Sequence, residues 1–533
     1  MSGTRWVYAR RRLLRDGGLA AVGLGLVTPA GRALAQAAPA IVVADSMRIS
    51  IPYGVQVGDV AGDRAVLWSR ADRPAQMLVE LATTESFADA RELRGPAALE
   101  DTDFTVKLDV GGLPPGQRVF YRVRFRDLAD FASDSEPVVG SFVVPPAARA
   151  PVRFLWSGDT AGQGWGINAD FGGMRIYETM RQRRPDFFIH SGDTVYADGP
   201  IPAEKEIPGG GVWKNVTIEA KTKVAETLDE FRASYAYNLM DDNVRRFNAE
   251  VAMFAQWDDH EVTNNWYWQK RMDADERYKE KSVAVLAARG ARAFMDYMPV
   301  RQHPLERDRI YDSFRWGPSL EVFRIDLRSY RGPNTDGLET ELGPAARILG
   351  AEQVRWLKQA LLASDATWKV IASDMPIGLI VWDDFRNRRG SEAIAQGDMG
   401  EPKGRELEIA DLLTFIARND IRNVVWLTAD VHYTAAHYYD PAAARFRDFK
   451  PFWEFVSGPL NAGSFGPNAL DATFGPQVRF VKAPPQGQVN LPPSAGLQFF
   501  GQVDIDGASE QMTVSLCDLA GEVLFKQELT PEV

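Results

Sequence analysis

Four apolar stretches of the chain run straight into turns that carry acidic groups, and two of those turns add a histidine. Phe154-Leu155-Trp156 leads into Ser157-Gly158-Asp159-Thr160, and Phe187-Phe188-Ile189-His190 into Ser191-Gly192-Asp193-Thr194-Val195-Tyr196. Phe254-Ala255-Gln256-Trp257 leads into Asp258-Asp259-His260-Glu261, and Val424–Thr428 into Ala429-Asp430-Val431-His432. Taken singly, each is an ordinary turn or helix start. Their joint occurrence is the signal. Carboxylates brought together raise one another's pKa unless a cation neutralises them, so a metal centre is the economical reading.

The elements that must position these turns follow from the hydrophobic pattern. From about Ser50 to Val144 apolar residues alternate with period two, as in Arg64–Trp68, Met77–Leu81, Thr105–Val110 and Val119–Phe125. Short strands at this spacing, separated by Gly, Asp and Pro, predict a β-sandwich of about 100 residues. After the linker Pro145-Pro146-Ala147-Ala148, short apolar strands alternate with helical segments. Strands are expected at Val152–Trp156, Asp186–His190, Val251–Trp257, Leu320–Ile325, Trp368–Ala372 and Asn423–Thr428. Helices are expected at Gly173–Arg183, Leu228–Phe247, Lys281–Met298, Ala351–Ala363 and Arg405–Arg418. Strand-like runs return at Leu497–Val503 and Met512–Leu516. The alternation implies an α/β core, and open α/β sheets bind ligands beyond the carboxyl ends of their strands. The four acidic turns lie at such ends.

The order of these motifs resembles the calcineurin-like metallophosphoesterases, and Gly192-Asp193 with Tyr196 is similar to the purple-acid-phosphatase variant. Trp257-Asp258-Asp259-His260-Glu261, Asp326-Leu327-Arg328-Ser329-Tyr330-Arg331 and Ala429-Asp430-Val431-His432 are similar to the alkaline phosphatase D family. The resemblance implies an α/β fold, a metallophosphoesterase αββα sandwich over residues 151–533. A small all-β, fibronectin-III-like sandwich over residues 45–146 would precede it.

Carried over by motif, Asp193 would bridge two metals. Asp159, Tyr196 and His432 would complete one site, and Asp259 and Asp430 would help form the other. These hard donors suit Fe³⁺ with Ca²⁺, or with another divalent ion such as Mn²⁺ or Mg²⁺. Such a binuclear metal centre would clamp the phosphoryl oxygens and activate water to attack a phosphate ester, with no Ser or Cys nucleophile. His260 would protonate the leaving oxygen or stabilise the transition state. Arg328 would bind substrate as a phosphate clamp, with an inter-domain or surface ion pair as the competing reading.

Two departures from the family pattern stand out. Ser157-Gly158-Asp159 occupies a place where relatives often carry Cys. The segment Ala372-Ser373-Asp374-Met375-Pro376 lacks the family's lone histidine, leaving Asp374 or Asn264 as substitutes. His190 and His437 lie beside motifs, as supporting groups or, the favoured reading, as structural residues, and His303 reads as a surface residue. Two other functions compete: phospholipase D-like cleavage of lipid head groups, approached past Trp165, Trp213, Trp266, Trp268 and Trp382, and a catalytically silent cell-surface binding protein.

Composition narrows the field further. The 533 residues are 45% hydrophobic and 25% charged, enough for a large core. The single cysteine, Cys517, excludes an internal disulfide framework. The formal charge of −11 argues against a nucleic-acid surface. Residues 1–35 read as a secretory leader: Arg11-Arg12-Leu13-Leu14-Arg15, an apolar run from Leu19 to Val27, and the small-residue cleavage pattern Ala33-Leu34-Ala35. The paired arginines resemble the twin-arginine signal, so the export machinery is an expected partner and the periplasm or exterior the expected location. Without the leader's six Arg and one Asp, 55 basic and 71 acidic residues remain, a net −16. No later run approaches spanning length, so no transmembrane anchor is expected in the mature chain.

Overall fold

The period-two segments and the short apolar runs form two large sheets that face each other. The structure, a computed structural model, describes residues 48–532. The expected leader lies outside the described residues. In spatial order, the first sheet runs Val523–Leu529, Met512–Asp518, Phe499–Ile505, Val152–Ser157, Phe187–Ser191, Ala252–Gln256, Val55–Ala61, Arg64–Arg70 and Thr105–Val110. The second runs Asp312–Trp316, Leu320–Arg324, Trp368–Ala372, Val424–Thr428, Phe452–Val456, Thr434–Tyr439 and Pro476–Lys482. The three strands of the first sheet that feed acidic turns are parallel neighbours, and Val424–Thr428, which feeds the fourth, runs parallel to Trp368–Ala372 in the second sheet.

Large rings fill the space between the sheets. Phe187 stacks on Phe154 at 4.7 Å and meets Trp316 of the opposite sheet at 4.6 Å, while Phe254 stacks on Phe314 at 4.3 Å. The outer face of the first sheet is covered by helices α1 Arg175–Gln182, α2 Leu228–Asn238, α3 Asp242–Glu250 and α4 Val283–Tyr297. The outer face of the second is covered by α5 Ala351–Ala363 and α6 Glu406–Arg418. The architecture is an αββα sandwich in which the central parallel strands are buried on both faces, and this accounts for their unbroken apolar runs.

The helix expected over Leu228–Phe247 is two helices. Asp241 interrupts it: its Oδ1 accepts from the backbone N–H of Asn243 and Val244 at 2.9 and 3.1 Å, capping α3. Its Oδ2 accepts from Met174 N–H at 2.9 Å, pinning the start of α1.

Apart from one 3-10 turn, Glu100–Thr102, residues 55–143 are strand and loop, as the alternation predicts. A four-stranded sheet, Arg91–Ala98, Ala75–Ala82, Arg118–Asp127 and Val138–Val143, packs on Val55–Ala61, Arg64–Arg70 and Thr105–Val110. Those last three strands also belong to the nine-stranded sheet, because Val55–Ala61 pairs parallel with Ala252–Gln256. A buried ion pair, Arg324 to Asp59 at 3.1 Å, reinforces the seam.

Candidate metal centre

The carboxyl ends of the parallel strands of both sheets open at one edge of the sandwich, and the four turns meet there. Three overlapping groups of ligand atoms result, each within 4.8 Å: Asp159, Asp193 and His432; Asp193, Asp259 and His260; and Asp258, Asp259 and Asp430. Tyr196 joins the first, its Oη 2.8 Å from His432 Nε2. Asp193 belongs to two groups and Asp259 to two, so the three form one continuous cluster.

Backbone conformation aims these side chains. Asp159, Asp193, Asp430 and His432 have φ of +70°, +49°, +66° and +57°. This left-handed region is uncommon for residues other than glycine, although Asp and His tolerate it better than most. The turns also interlock. Thr160 N–H donates to Asp193 O at 2.9 Å and Leu460 N–H to Gly158 O at 2.8 Å. Gly192, at φ +94°, lies so close to Asp258 that a Cβ there would stand 2.5 Å from the Asp258 Cβ.

The donors match a cation site. Both carboxylate oxygens of Asp159, Oδ2 of Asp258 and Oδ1 of Asp259 are buried with no hydrogen-bond partner. Orphaned buried acceptors are costly, and several together are what cations would satisfy. Burial, followed by the Asp259, Asp258 and Glu261 charges, pushes Asp193 well above the usual carboxylate range despite the opposing His260. The donor set is oxygen-rich, with one phenol and an imidazole from His432, and so fits hard or borderline ions.

Around the cluster is a cavity of about 440 Å³ whose polar wall includes Asp193, Tyr196, Asp259, His260, Asn264 and His432; Val381, Val431 and Phe465 form its apolar wall. His260 Nδ1 lies 2.7 Å from Asp198 Oδ1, and its Nε2 is 3.7 Å from Asp259 Oδ1. Burial alone would lower the His260 pKa; Asp198, Asp259 and Asp193 outweigh it and raise it well above the ordinary value. The Nδ1 of His432 contacts Gly463 O, which turns Nε2 toward Tyr196 and Asp159.

Arg328 is not where a phosphate clamp would stand. It is fully buried and absent from the cavity lining, held by Asp258 and Glu392 with Asp374 3.9 Å away. Its guanidinium neutralises Asp258 of the cluster and Glu392 of the cavity wall from behind. Asp374 is likewise buried behind Asp258 and outside the three ligand groups, whereas Asn264 lines the cavity. His190 is buried beneath the cluster, 3.3 Å from Thr160 Oγ1, and burial pushes its pKa down to about 3. His437 pairs with Glu454 at 3.1 Å inside the second sheet, and His303 Nδ1 accepts from Glu306 N–H in a polar loop. Trp165, Trp213 and Trp266 are core residues; Trp268 and Trp382 are partly exposed. Cys517 is buried in the strand Met512–Asp518.

Three contributors escaped the sequence reading. Asp258 stands among the ligand groups. Asp198 orients His260. Glu261 accepts backbone N–H bonds from Asp193, Thr194 and Asp258 at 3.2, 2.5 and 2.7 Å, tying two ligand turns together. Glu261 follows His260 directly and could have been found from the motif. Asp198 carries no local signal beyond its distance from Gly192-Asp193.

Two facing sheets whose strand ends gather carboxylates, a tyrosine and histidines define a metallophosphoesterase fold. Residues 154–516 match the PhoD-like phosphatase family, and residues 35–146 match the PhoD-like phosphatase N-terminal domain. The chain belongs to the PhoD-like phosphatase family. It is 27% identical over 454 residues to alkaline phosphatase D of Bacillus subtilis (strain 168), covering 80% of this chain and 71% of that one. A solved structure of PhoD superposes with a TM-score of 0.64 at 20% identity, over 90% of this chain and 89% of that one. The purple acid phosphatase PPD1 from yellow lupin (Lupinus luteus) seeds gives 0.55 at 12% identity, over 91% and 74%. No described helix is long and apolar enough to cross a membrane.

Proposed function

We propose that this phosphoesterase is an exported, metal-dependent hydrolase that attacks phosphate mono- or diesters. The supporting observation is the meeting of unpartnered buried carboxylates with a histidine at a cavity wall. Asp159, Asp193, Tyr196 and His432 would hold one cation, and Asp193, Asp259 and Asp430, with the free oxygen of Asp258, a second. Fe³⁺ with Ca²⁺, Mn²⁺ or Mg²⁺ suits those donors. Bound there, the two cations would supply Lewis-acid charge for the phosphoryl oxygens and make an attacking water acidic enough to react near neutral pH.

The chain's own groups do the rest. Asp198 accepts from His260 Nδ1–H and fixes the ring, and its charge, with those of Asp259 and Asp193, favours the imidazolium, whose Nε2–H would be given to the leaving oxygen. General acid assistance of this kind is typically worth about 10² to 10⁴ in rate. The tilted stack of His260 on Tyr196, 4.2 Å between centroids, restricts the ring further. Val381, Val431 and Phe465 keep one wall dry, which strengthens charge interactions inside the cavity. A silent binding protein would have no use for the oriented His260–Asp198 pair.

Export rests on the paired arginines. Replacing Arg11 and Arg12 with Lys is expected to retain the chain in the cytoplasm, read by fractionation. For the chemistry, Asp193→Asn and chelator treatment are each expected to abolish hydrolysis of p-nitrophenyl phosphate and bis-p-nitrophenyl phosphate. Elemental analysis would show metal lost in both. An Asp193→Asn protein with full activity would overturn the metal assignment.

A further inference from the structure

One wall of the cavity continues outward as a hairpin that the chemistry does not use. Val381 and Glu392 line the cavity, and between them the strands Trp382–Asp384 and Arg389–Ser391 pair antiparallel, Trp382 opposite Ser391 and Asp384 opposite Arg389. The base is fixed. Asp383 Oδ1 accepts from Asn265 Nδ2 at 3.0 Å and lies 3.4 Å from Lys270 Nζ, and Gly390 N–H donates to Asp336 Oδ1 at 2.9 Å.

The tip differs in kind from the rest of this acidic surface. Its five residues, Phe385-Arg386-Asn387-Arg388-Arg389, are all exposed, and Phe385 is 82% exposed. Asp384 is occupied in the turn, accepting from Asn387 N–H and Nδ2 at 3.1 and 2.7 Å. Arg389 has only a loose partner, Asp336 at 3.9 Å. At about 3.4 Å per residue, the tip stands within roughly 14 Å of the cavity wall.

We infer that this tip docks the enzyme on an anionic phospholipid surface. Phe385 enters the headgroup layer, Arg386, Arg388 and Arg389 hold lipid phosphates, and the cavity mouth is thereby brought to the membrane. A soluble anion would use the cations and leave the exposed ring unexplained. An interface uses both, since aromatic rings settle at the headgroup boundary and basic side chains are drawn to anionic lipid. The attachment is peripheral, by a single loop. The net charge of −16 expected once the leader is removed does not cancel it, because fields decay over about 8 Å at physiological ionic strength. The inference does not depend on which ester is hydrolysed.

Vesicle flotation of the purified protein tests it, comparing phosphatidylcholine vesicles with mixed phosphatidylcholine–phosphatidylglycerol vesicles. Binding is expected to the mixed vesicles and to fall at high salt. Each cation near an anionic surface contributes roughly fivefold, so the combined Arg386→Gln, Arg388→Gln and Arg389→Gln variant is expected to bind about 100-fold more weakly. Phe385→Ser is expected to bind more weakly at unchanged charge. Both variants should melt like the wild type and hydrolyse p-nitrophenyl phosphate normally, because the tip lies outside the cavity lining. Wild-type protein that stays off the mixed vesicles, or variants that bind as it does, would overturn the inference. So would variants that keep vesicle binding but lose kcat/KM toward a multiply charged soluble ester, which would make the tip a substrate subsite instead.

Discussion

Replacing Arg328 with Met separates two roles that predict opposite results. The guanidinium is fully buried, its Nε on Asp258 and its Nη1 on Glu392. Glu392 keeps Arg331 at 2.9 Å and Asn334 Nδ2 at 2.6 Å, but Asp258 loses its cation. Breaking a buried pair on one side typically costs about 3–5 kcal/mol. Because Glu392 retains partners, about 3 kcal/mol is expected here, read as a lower guanidinium midpoint with unchanged slope. Combining Arg328→Met with Asp258→Asn removes the stranded charge and should recover much of the loss, a coupling a double-mutant cycle measures. A phosphate clamp predicts the reverse: normal stability and a raised KM. An Arg328→Met protein as stable as the wild type, with only its KM raised, would refute the burial argument.

Two further outcomes follow from packing and charge. In Gly162→Ala, the new Cβ would stand 2.5 Å from Tyr196 Cζ, so the phenol must move; kcat should fall, with about 1–3 kcal/mol lost to overpacking, read by steady-state assay and thermal melting. Glu406 is buried near Asp471, and burial followed by that neighbour raises its pKa to about 8. The folded state therefore holds a proton between about pH 4.5 and 8 that the unfolded chain has released. Stability contributed by this group falls as pH rises through that window, by about 1.4 kcal/mol per pH unit. Glu406→Gln should flatten this decline, and matching melting profiles for the two proteins from pH 5 to 9 would contradict it.

Much of the candidate site was legible because most of its candidate ligands follow a short apolar strand. Asp159, Asp193, Asp259, Asp430 and His432 carry that signature, and parallel strands bring their ends together. What escaped depends on contacts between turns distant in sequence. Asp198 matters only because it meets the ring of His260, and Arg328 looks like an open clamp until Asp258 and Glu392 enclose it. Among the elements, the pattern over Leu228–Phe247 is helical on both sides of Asp241, so it could not show that this side chain also serves Met174. Period two marked the region from about Ser50 as strand-forming, but it singled out neither Val55–Ala61 nor that strand's partner in the nine-stranded sheet.

That shared sheet has a consequence for how the chain is made. Ser157, at the end of the strand leading to Asp159, bonds Phe499 O, 342 residues later, and Gln56 bonds Asn248, 192 residues later. The strand feeding Asp159 therefore lacks one neighbour until residues near 500 have left the ribosome. Closing such long loops is entropically costly and slow. The N-terminal strands cannot finish folding as a separate unit in the meantime. Assembly of the candidate centre must then be a late, post-translational event, and a chain interrupted before the Phe499–Ile505 strand would hold all of the candidate ligands yet lack the wall that aligns the first.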